Sequence, residues 1–424
     1  MKTDVTHALS GRKRLCSALL ICVALVSIFV TQTRTTTAAM WTVRVGTAPA
    51  AIAAGGGRVV VANSGDQSVS VLDARSGATR ATIPAGQAPV ALTLDGAQGR
   101  VFTLNTCRTM AAYPWCQPSM SILDLQSGTL LGTISTAGGP TAIAADDRAG
   151  WVFAANYNAG TVSMIDPTTG GLRRTVDVGG PPVAVAVDAR AHRVFVAIEG
   201  PRGRVALLDS RTGALLHTGR TGRFVGTVLN DARSRRALVQ SDGGVYLLDA
   251  RTGRTLRVIK HTGMLLAIDE RDGRALVAAN GQLHLLATRD GTTVAAIDDG
   301  GALRTSSIDD VAVDPVAGRF FVAAHDVTRR AGTPTTVGYL AVIDGRSGRL
   351  LRMRSLDKQA TALAVDAAAH RVFIVNADSM DASAGQDAWQ QLERWVRRML
   401  PGLPLPPSTA STGGTVTVLN TERL

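Results

Sequence analysis

Hydrophobic and polar positions along the chain follow one phrase of about forty residues that recurs from residue 41 onward. Each copy has an apolar run ending near Asp, a turn marked by Gly or Arg, and a second apolar run. A third run ending in LD or ID, a Thr-Gly turn and a fourth run complete it. In runs such as SVSVLD at Ser68, apolar and polar residues alternate with the period of a β-strand. The repeat therefore predicts an all-β protein, a β-propeller built of four-stranded blades.

Two independent counts of the units give eight blades. The first strands are predicted to begin near Ala50, Val90, Thr141, Val183, Val225, Leu265, Val311 and Thr361. The third strands are predicted at 68–73, 119–124, 161–166, 204–209, 244–249, 282–287, 339–344 and 415–420. Seven blades are the alternative, because the fifth and sixth units, RALVQSDGGVYLLD and RALVAANGQLHLLA, are degenerate.

The two ends of the repeat complement each other. The last unit stops after its third strand, TVTVLN, whereas a spare strand, WTVRVG at Trp41, precedes the first unit. This spare strand matches the fourth-strand phrase RTVDVGG at Arg174. We therefore predict that residues 41–46 complete the last blade and close the ring, which removes an open sheet edge.

Residues 1–40 are predicted to be a targeting segment and 41–424 the propeller. Basic residues precede the apolar stretch 15–30, and the small residues Thr37 and Ala39 follow it. This pattern fits a signal peptide cleaved after Ala39. An uncleaved N-terminal membrane anchor is the alternative, since the polar gap before Ala39 is long. Both interpretations predict export to the periplasm or the cell exterior.

The distribution of charge along the sequence bears on whether the protein binds nucleic acid. The formal charge is +12, but its excess of Arg is scattered over hairpin turns. A specific nucleic-acid partner is therefore not expected, since proteins that bind nucleic acids cluster basic and aromatic residues.

Cys107 and Cys116 flank one short insertion, which predicts a disulfide in an exported chain. Two independent thiols are the alternative.

Three insertions are not explained by the repeat, at 106–118, 325–337 and 377–413. Each follows the second strand of a blade, so all three should lie on the face that carries the connections between blades. We call this the insertion-bearing face, and the other the opposite face. Blades seven, eight, one and two are neighbours in a closed ring, which makes this side of the face the predicted site of partner binding.

The third insertion contains a predicted helix at about 388–400, with Asp387 as its N-cap and Pro401 after its end. Its candidate partner-binding residues are Trp389, Arg394, Trp395 and Arg398. Three interpretations remain open: a helix packed on the propeller rim, a lid over the channel mouth, or an amphipathic helix on a membrane surface. Membrane association is expected through this helix or through residues 15–30.

The recurring aspartates are predicted to be structural. Those that end third strands precede Gly-containing turns, whose backbone N–H groups a carboxylate binds; they are Asp73, Asp124, Asp166, Asp209, Asp249 and Asp344. His192 and His370 occupy matching positions in turns of the opposite face. The sequence contains no HExxH, GxSxG, Walker or CxxCH motif. We therefore predict no catalytic residue, no metal site and no cofactor.

The remaining polar residues that should lie on the insertion-bearing face form a predicted rim. Second strands end at Asn63, Asn105, Asn156 and Asn376, and Tyr157 follows one of them. The connections between blades add Arg220, Arg223, His261, Arg304, Asp309 and Asp310. We select as candidate ligand-binding residues Asn63, Asn105, Asn156, Tyr157, Arg223, His261 and Asn376. The alternative is that these asparagines only form turns and bind no ligand.

The phrases VVVANSGDQSVSVLD at Val59, VFAANYNAGTVSMID at Val152 and RVFIVN at Arg371 resemble the YVTN-type β-propeller repeat. The resemblance covers residues 41–424 apart from the insertions, with VAN, AAN or IVN in place of the tetrad. It implies an exported bacterial propeller from a group that mostly lacks assigned enzymatic activity. Some similar propellers are subunits of periplasmic quinoprotein dehydrogenases, and some lactonases share the architecture.

The leading hypothesis is therefore a non-catalytic scaffold that binds a protein, glycan or small ligand on its insertion-bearing face. A lactonase-like enzyme or a quinoprotein-dehydrogenase-associated subunit is the alternative.

Overall fold

The computed structural model describes residues 40–96, 98–106, 118–136, 138–260, 263–298, 303, 308–330, 333–376 and 413–424. Within these ranges the chain forms eight four-stranded antiparallel sheets, which are the blades of a propeller. The spare strand is β1 (Met40–Arg44). Blades one and two contain β2 (Pro49–Gly55), β3 (Arg58–Asn63), β4 (Ser68–Asp73), β5 (Thr79–Pro84), β6 (Pro89–Asp95), β7 (Arg100–Asn105), β8 (Ser119–Asp124) and β9 (Thr129–Ser135).

The next six blades repeat this order. Blades three and four contain β10 (Pro140–Asp146), β11 (Trp151–Asn156), β12 (Thr161–Ile165), β13 (Leu172–Asp177), β14 (Pro182–Asp188), β15 (Arg193–Ile198), β16 (Arg204–Asp209) and β17 (Leu215–Arg220). Blades five and six contain β18 (Val225–Asp231), β19 (Arg236–Ser241), β20 (Gly244–Asp249), β21 (Thr255–Ile259), β22 (Met264–Asp269), β23 (Arg274–Ala279), β24 (Gln282–Ala287) and β25 (Thr293–Ala296). Blades seven and eight contain β26 (Ile308–Asp314), β27 (Arg319–Arg330), β28 (Thr333–Asp344), β29 (Leu350–Leu356), β30 (Ala360–Asp366), β31 (Arg371–Asn376) and β32 (Thr415–Asn420). A short 3₁₀ helix, Thr421–Arg423, follows β32.

The prediction of eight blades is confirmed, and the degenerate fifth and sixth units form regular four-stranded sheets. The prediction of ring closure is confirmed as well. Strand β1 pairs with β32 in antiparallel register, from Met40 opposite Leu419 to Arg44 opposite Thr415. It is therefore the fourth strand of blade eight and begins one residue earlier than expected. The first strands lie next to one another around the ring, and β30 meets β2 to complete it.

The hydrophobic core is divided into clusters between neighbouring blades. Eight such clusters occur in the described part of the chain, and each contains side chains from two adjacent sheets. Because a blade is covered on both sides, most second strands are buried along nearly their whole length. The largest fully buried side chains include six phenylalanines, all in second strands: Phe102, Phe153, Phe195, Phe320, Phe321 and Phe373.

Turns on the opposite face are tied together by backbone contacts and arginines. In seven blades the residue before the second strand accepts a backbone hydrogen bond from the turn after the third strand; the donors are Ala74, Leu125, Ser210, Ala250, Thr288, Gly345 and Thr421. Seven second strands begin with Arg. The guanidinium groups of Arg58 and Arg100 donate to the carbonyls of Leu125 and Pro167 in the next blade. These two arginines therefore join neighbouring blades rather than merely facing solvent.

The insertion predicted at 325–337 lies almost entirely in strand. Strands β27 and β28 pair up to Arg330 and Thr333, while β26 stops pairing at Ala324 and β29 at Gly338. Residues 325–330 and 333–337 thus form a two-stranded extension of blade seven, which we call the blade-seven ribbon. Residues 107–117, with Cys107 and Cys116, and residues 377–412, with the predicted helix, lie outside the described residues. Among the described residues no helix is long and apolar enough to span a membrane.

Candidate functional site

Asparagines at the ends of second strands form a repeated hydrogen-bonded unit. The amide nitrogen of Asn63 donates to the hydroxyls of Ser68 and Ser70 at 3.0 and 2.9 Å. Asn105 binds Ser119 and Ser121, and Asn156 binds Thr161 and Ser163, in the same manner. Each asparagine therefore links the second strand of its blade to the third.

The structure does not place these asparagines on an exposed rim. Asn63, Asn105 and Asn156 are at most 1% exposed. The connection from the preceding blade covers two of them, because a Cβ at Gly46 or Gly86 would come within 3 Å of the Asn63 or Asn105 side chain. The physical reason is that a buried amide needs partners, and third-strand hydroxyls provide them. Ligand binding by these three residues stays a prediction that their burial does not support.

Two other candidates lie on the insertion-bearing face. Tyr157 follows β11 in blade three, and Arg223 lies in the connection from blade four to blade five. The Tyr157 hydroxyl donates to Glu199 Oε2 at 2.8 Å, which joins blades three and four, and this bond raises the pKa of Tyr157. The Arg223 guanidinium lies 5.8 Å from the centre of the Phe224 ring. Phe224 is 64% exposed. The sequence analysis missed this aromatic residue, which is a suitable anchor for a partner.

Three polar side chains converge on this face at blade seven. His325 Nδ1 lies 2.7 Å from Asp309 Oδ1, and Gln359 Nε2 donates to the same oxygen at 2.8 Å. With Nδ1 as the donor to Asp309, the imidazole presents Nε2 for another contact. The side chains of His325 and Asp309 are 25% and 10% exposed. We call these three residues the Asp-His-Gln cluster.

Each member of the Asp-His-Gln cluster comes from a different element. Asp309 is the extra residue of a β-bulge in β26, between the paired residues Ile308 and Asp310. His325 is the first residue of the blade-seven ribbon, and Gln359 lies in the connection to blade eight. Neighbouring Asp310 accepts hydrogen bonds from the backbone N–H groups of Val311 and Leu363, and burial raises its pKa. The cluster therefore joins the ribbon, the inner strand and the next blade.

A small cavity lies beside this cluster, between the β29–β30 connection and blade eight. Its lining includes Lys358, the residue before Gln359, and Asn376, the last residue of β31. Asn376 is 4% exposed. The remaining candidates, His261, Trp389, Arg394, Trp395 and Arg398, lie outside the described residues.

The aspartates that end third strands are turn residues, as predicted. Asp124 Oδ1 accepts from the backbone N–H groups of Gln126 and Ser127 at 2.8 and 2.6 Å, and the other five make the same pair of bonds. The Ser127 N–H holds the pKa of Asp124 below its ordinary value. Among the described residues, no group of three or more His, Cys, Asp or Glu side chains is arranged to hold a metal ion.

Comparison with solved structures shows the same architecture at low sequence identity. The computationally designed Ika8 protein is 18% identical with a TM-score of 0.57, covering 78% of this chain and 94% of its own. BamB from Moraxella catarrhalis is 16% identical with a TM-score of 0.56, covering 91% and 99%. Kuenenia stuttgartiensis hydrazine synthase is 13% identical with a TM-score of 0.51, covering 81% and 95%. At these identities the likeness concerns the fold alone.

Comparison of sequences gives a family. No curated protein sequence matches the chain. One family model does, over residues 123–391, which is more than half of the chain and extends from β8 in blade two to beyond β31. The resemblance to the YVTN-type repeat stays an expectation, since this match is to a different propeller family. The chain belongs to the PQQ_2 family, which is described as outer membrane protein assembly factor BamB.

Proposed function

We propose that this propeller is an exported, non-catalytic scaffold that binds a partner protein through its insertion-bearing face at blades seven and eight. The observation that carries this proposal is the blade-seven ribbon. Its two strands pair with each other but not with β26 or β29. Each ribbon edge therefore offers backbone N–H and C=O groups with which an extended segment of another chain can pair.

The Asp-His-Gln cluster supports a binding role because it fixes the base of the ribbon. His325, Asp309 and Gln359 bring the ribbon, the inner strand and the connection to blade eight into one hydrogen-bonded unit. A ribbon that is held before binding loses less conformational entropy when a partner docks. Among the described residues, His325 Nδ1 donates to Asp309, and this bond fixes the orientation of the imidazole at the base of the ribbon.

Export is supported by two separate observations. Residues 1–40 combine a basic segment, an apolar stretch and small residues near Ala39. The family to which the chain belongs is described as an outer membrane protein assembly factor. We expect a fusion of the full chain to alkaline phosphatase, which is active only in an oxidising compartment, to be active in bacteria. The same fusion without residues 1–40 should be inactive, and equal activity of the two would contradict export.

Partner binding can be tested by shortening the ribbon. Blade six already provides the design, because its second and third strands are joined by the two-residue turn Asn280-Gly281 between the paired residues Ala279 and Gln282. Replacing residues 327–336 with Asn-Gly would join Asp326 to Val337, which also pair. We expect the shortened protein to fold as before and to lose a partner that the full chain retains in affinity purification after cross-linking.

The matched control alters the opposite face. Arg75 and Arg251 lie in turns after third strands, and we expect their change to Glu to leave the recovered partner unchanged. The proposal is contradicted if the shortened protein and the full chain recover the same partners, or if the control loses them equally. A recovered partner that carries a redox cofactor would favour the narrower function of a quinoprotein-type subunit.

A further inference from the structure

Two arginines lie directly opposite each other at the end of blade four that belongs to the insertion-bearing face. Arg204 begins β16, Arg220 ends β17, and the two residues pair in the antiparallel register. Side chains of directly opposite residues lie on the same side of a sheet, with their Cβ atoms about 5 Å apart. Two positive charges at this spacing repel each other, so the pair lowers the stability of the fold.

The repeat does not place like charges at this position in five other blades. The equivalent pairs there contain at most one charged residue: Ser68 with Pro84, Ser119 with Ser135, Thr161 with Asp177, Gly338 with Leu356, and Thr415 with Arg44. Blade four thus has two guanidinium groups where these blades have a neutral or singly charged pair. This departure points to an anion, because a negative group between the two arginines is attracted by both and offsets their repulsion.

The described part of the chain provides no carboxylate that neutralises these two arginines. Arg204 donates to the backbone carbonyl of Gly179, which is a neutral acceptor. The Arg220 guanidinium has no hydrogen bond or ion pair with a described residue. Arg220 is exposed and Arg204 is partly exposed, so a solute can reach both.

Further positive charge adjoins the pair. Arg202 lies in the turn before β16, and Arg223 lies in the connection after β17. These two segments touch, because a Cβ added at Gly203 would meet the carbonyl oxygen of Gly222. Both arginines are exposed. The four arginines therefore belong to one contiguous surface over blades four and five.

Three carboxylates lie in the same region, and each binds a donor of the fold. Glu199 Oε2 accepts from the Tyr157 hydroxyl at 2.8 Å. Asp177 and Asp242 each accept from a backbone N–H group at 2.7 Å. None of the three forms an ion pair with a described arginine. They fix the turns around the arginine pair and leave its two guanidinium groups available.

We propose that Arg204 and Arg220 together bind the phosphate group of a phosphomonoester. Such a group carries a charge of about −1.5 to −2 at pH 7, which matches two guanidinium groups, whereas a carboxylate would neutralise only one. Arginine suits this role because its planar fork donates two parallel N–H groups to phosphate oxygens. The bond from Arg204 to Gly179 restricts the side chain before a ligand arrives, so less conformational entropy is lost on binding.

Binding of phosphate compounds to the full chain tests this site. The soluble probes are inorganic phosphate and glycerol 3-phosphate, each titrated to about 10 mM at low ionic strength and followed by calorimetry. The membrane probe is a phosphatidylcholine vesicle with about 20% phosphatidic acid, compared with phosphatidylcholine alone. We expect the soluble probes to bind with a Kd of roughly 0.1–5 mM. Binding of neither soluble probe and no preference for the phosphatidic acid vesicles would overturn the proposal.

The same probes distinguish two sources of the phosphate group. Binding of glycerol 3-phosphate without a preference for the phosphatidic acid vesicles supports the site with a soluble ester as its ligand. Preferential retention on those vesicles that is lost in Arg220→Gln supports the site with a lipid headgroup as its ligand.

Arg220→Gln separates ligand binding from the stability of the fold. We expect at least about fivefold weaker binding of the probes with an equal or higher melting temperature, because the change ends the repulsion. Arg44→Gln is the matched control, since Arg44 is the equivalent exposed residue of blade eight and lies opposite the neutral Thr415. It should leave binding unchanged. Equal affinities in Arg220→Gln and the unaltered chain would also overturn the site.

This site is independent of the proposed partner protein, because shortening the blade-seven ribbon removes none of the four arginines. Loss of the protein partner with retained phosphate binding would separate the two functions. Retained partner binding in Arg220→Gln would do so from the other side.

Discussion

Eight equivalent residues, one before each second strand, have left-handed backbone conformation. Five of them are glycines: Gly57, Gly99, Gly150, Gly273 and Gly318. The other three, His192, Arg235 and His370, have φ of 53°, 57° and 53°. A side chain in this conformation meets the backbone, so L-residues other than glycine adopt it at a cost. His192 and His370, which repeat at matching positions in the sequence, are therefore strained turn residues.

Arg235→Gly is expected to stabilise the protein by about 0.5–1 kcal/mol, because glycine relieves this strain. Arg235 is exposed, so little packing is lost. Gly150→Ala is the matched opposite change, since no atom lies within 4 Å of the added Cβ and φ is 72°. It should cost about 1 kcal/mol. Chemical denaturation measures both, and a loss of stability in Arg235→Gly would show that its side chain stabilises the turn.

Glu270 lies in a turn of the opposite face where acidic residues accumulate. Burial raises its pKa, and the charges of Asp231 and Asp188 add to the effect. A carboxyl whose pKa is higher in the folded state binds its proton more tightly there. Stability then falls as pH rises from the ordinary value of 4.5 through the raised pKa.

Glu270→Gln should therefore raise the melting temperature at pH 7–8 and give no gain below pH 4.5, where the carboxyl is protonated in both states. Melting curves across this range test the prediction. Asp290→Asn is the control, because the Thr292 hydroxyl lowers the pKa of Asp290. Loss of that carboxylate should destabilise at neutral pH, with the difference vanishing in acid. A gain for Glu270→Gln that does not depend on pH would point to packing instead.

At the scale of elements, four of the seven arginines at the start of second strands donate to a carbonyl of the neighbouring blade: Arg58, Arg100, Arg236 and Arg319. Arg319 of β27 donates to the Thr421 carbonyl of blade eight at 2.8 Å. Arg319→Met keeps most of the apolar stem and removes this charged donor, so we expect a loss of about 1–2 kcal/mol. Arg75→Met, in an exposed turn, should change stability by less than about 0.5 kcal/mol. Equal effects in urea denaturation would contradict a role in joining blades.

The sequence was informative about strands because a repeated turn chemistry fixes where each strand ends. Asp124 and its five counterparts look alike in the sequence and make the same bonds in the structure. The asparagines were harder to interpret, since Asn at a strand end is equally compatible with a rim and with a core. The distinguishing signal was present: Ser or Thr at the first and third positions of the following strand, as in Asn63, Ser68 and Ser70.

The Asp-His-Gln cluster could not be derived from the repeat. Asp309, His325 and Gln359 belong to an inner strand, a ribbon and a connection between blades, and no local spacing relates them. The bulge that contains Asp309 recurs near the start of the first strand in other blades, for example between Pro49 and Ala51, so the bulge alone does not mark Asp309. The bond between Cys107 and Cys116 also stays a prediction, to be tested by peptide mapping without reduction.

At the scale of the whole molecule, the ring depends on β1. Deleting residues 40–46 removes the pairing partner of β32 and the side chains of Trp41 and Val43, which pack against blade one. We expect this deletion to lower the melting temperature far more than deleting 382–409 with a short Gly/Ser linker. The ends of that second segment are already held, because Asn376 pairs with Thr415. Similar losses in the two variants would show that the ring closes without β1.

The pairing of β1 with β32 also sets the order in which the protein can mature. β32 is synthesised after the strands of blades one to seven, so blade eight stays incomplete until those seven blades have been made. Joining strands this far apart costs about 3 kcal/mol more loop-closure entropy than a hairpin. Closure should therefore be late and slow, whereas the sheets of blades one to seven can form from local pairs. Until β32 pairs with β1, folding catalysts that act on the chain would meet an open arc of blades with two exposed edges.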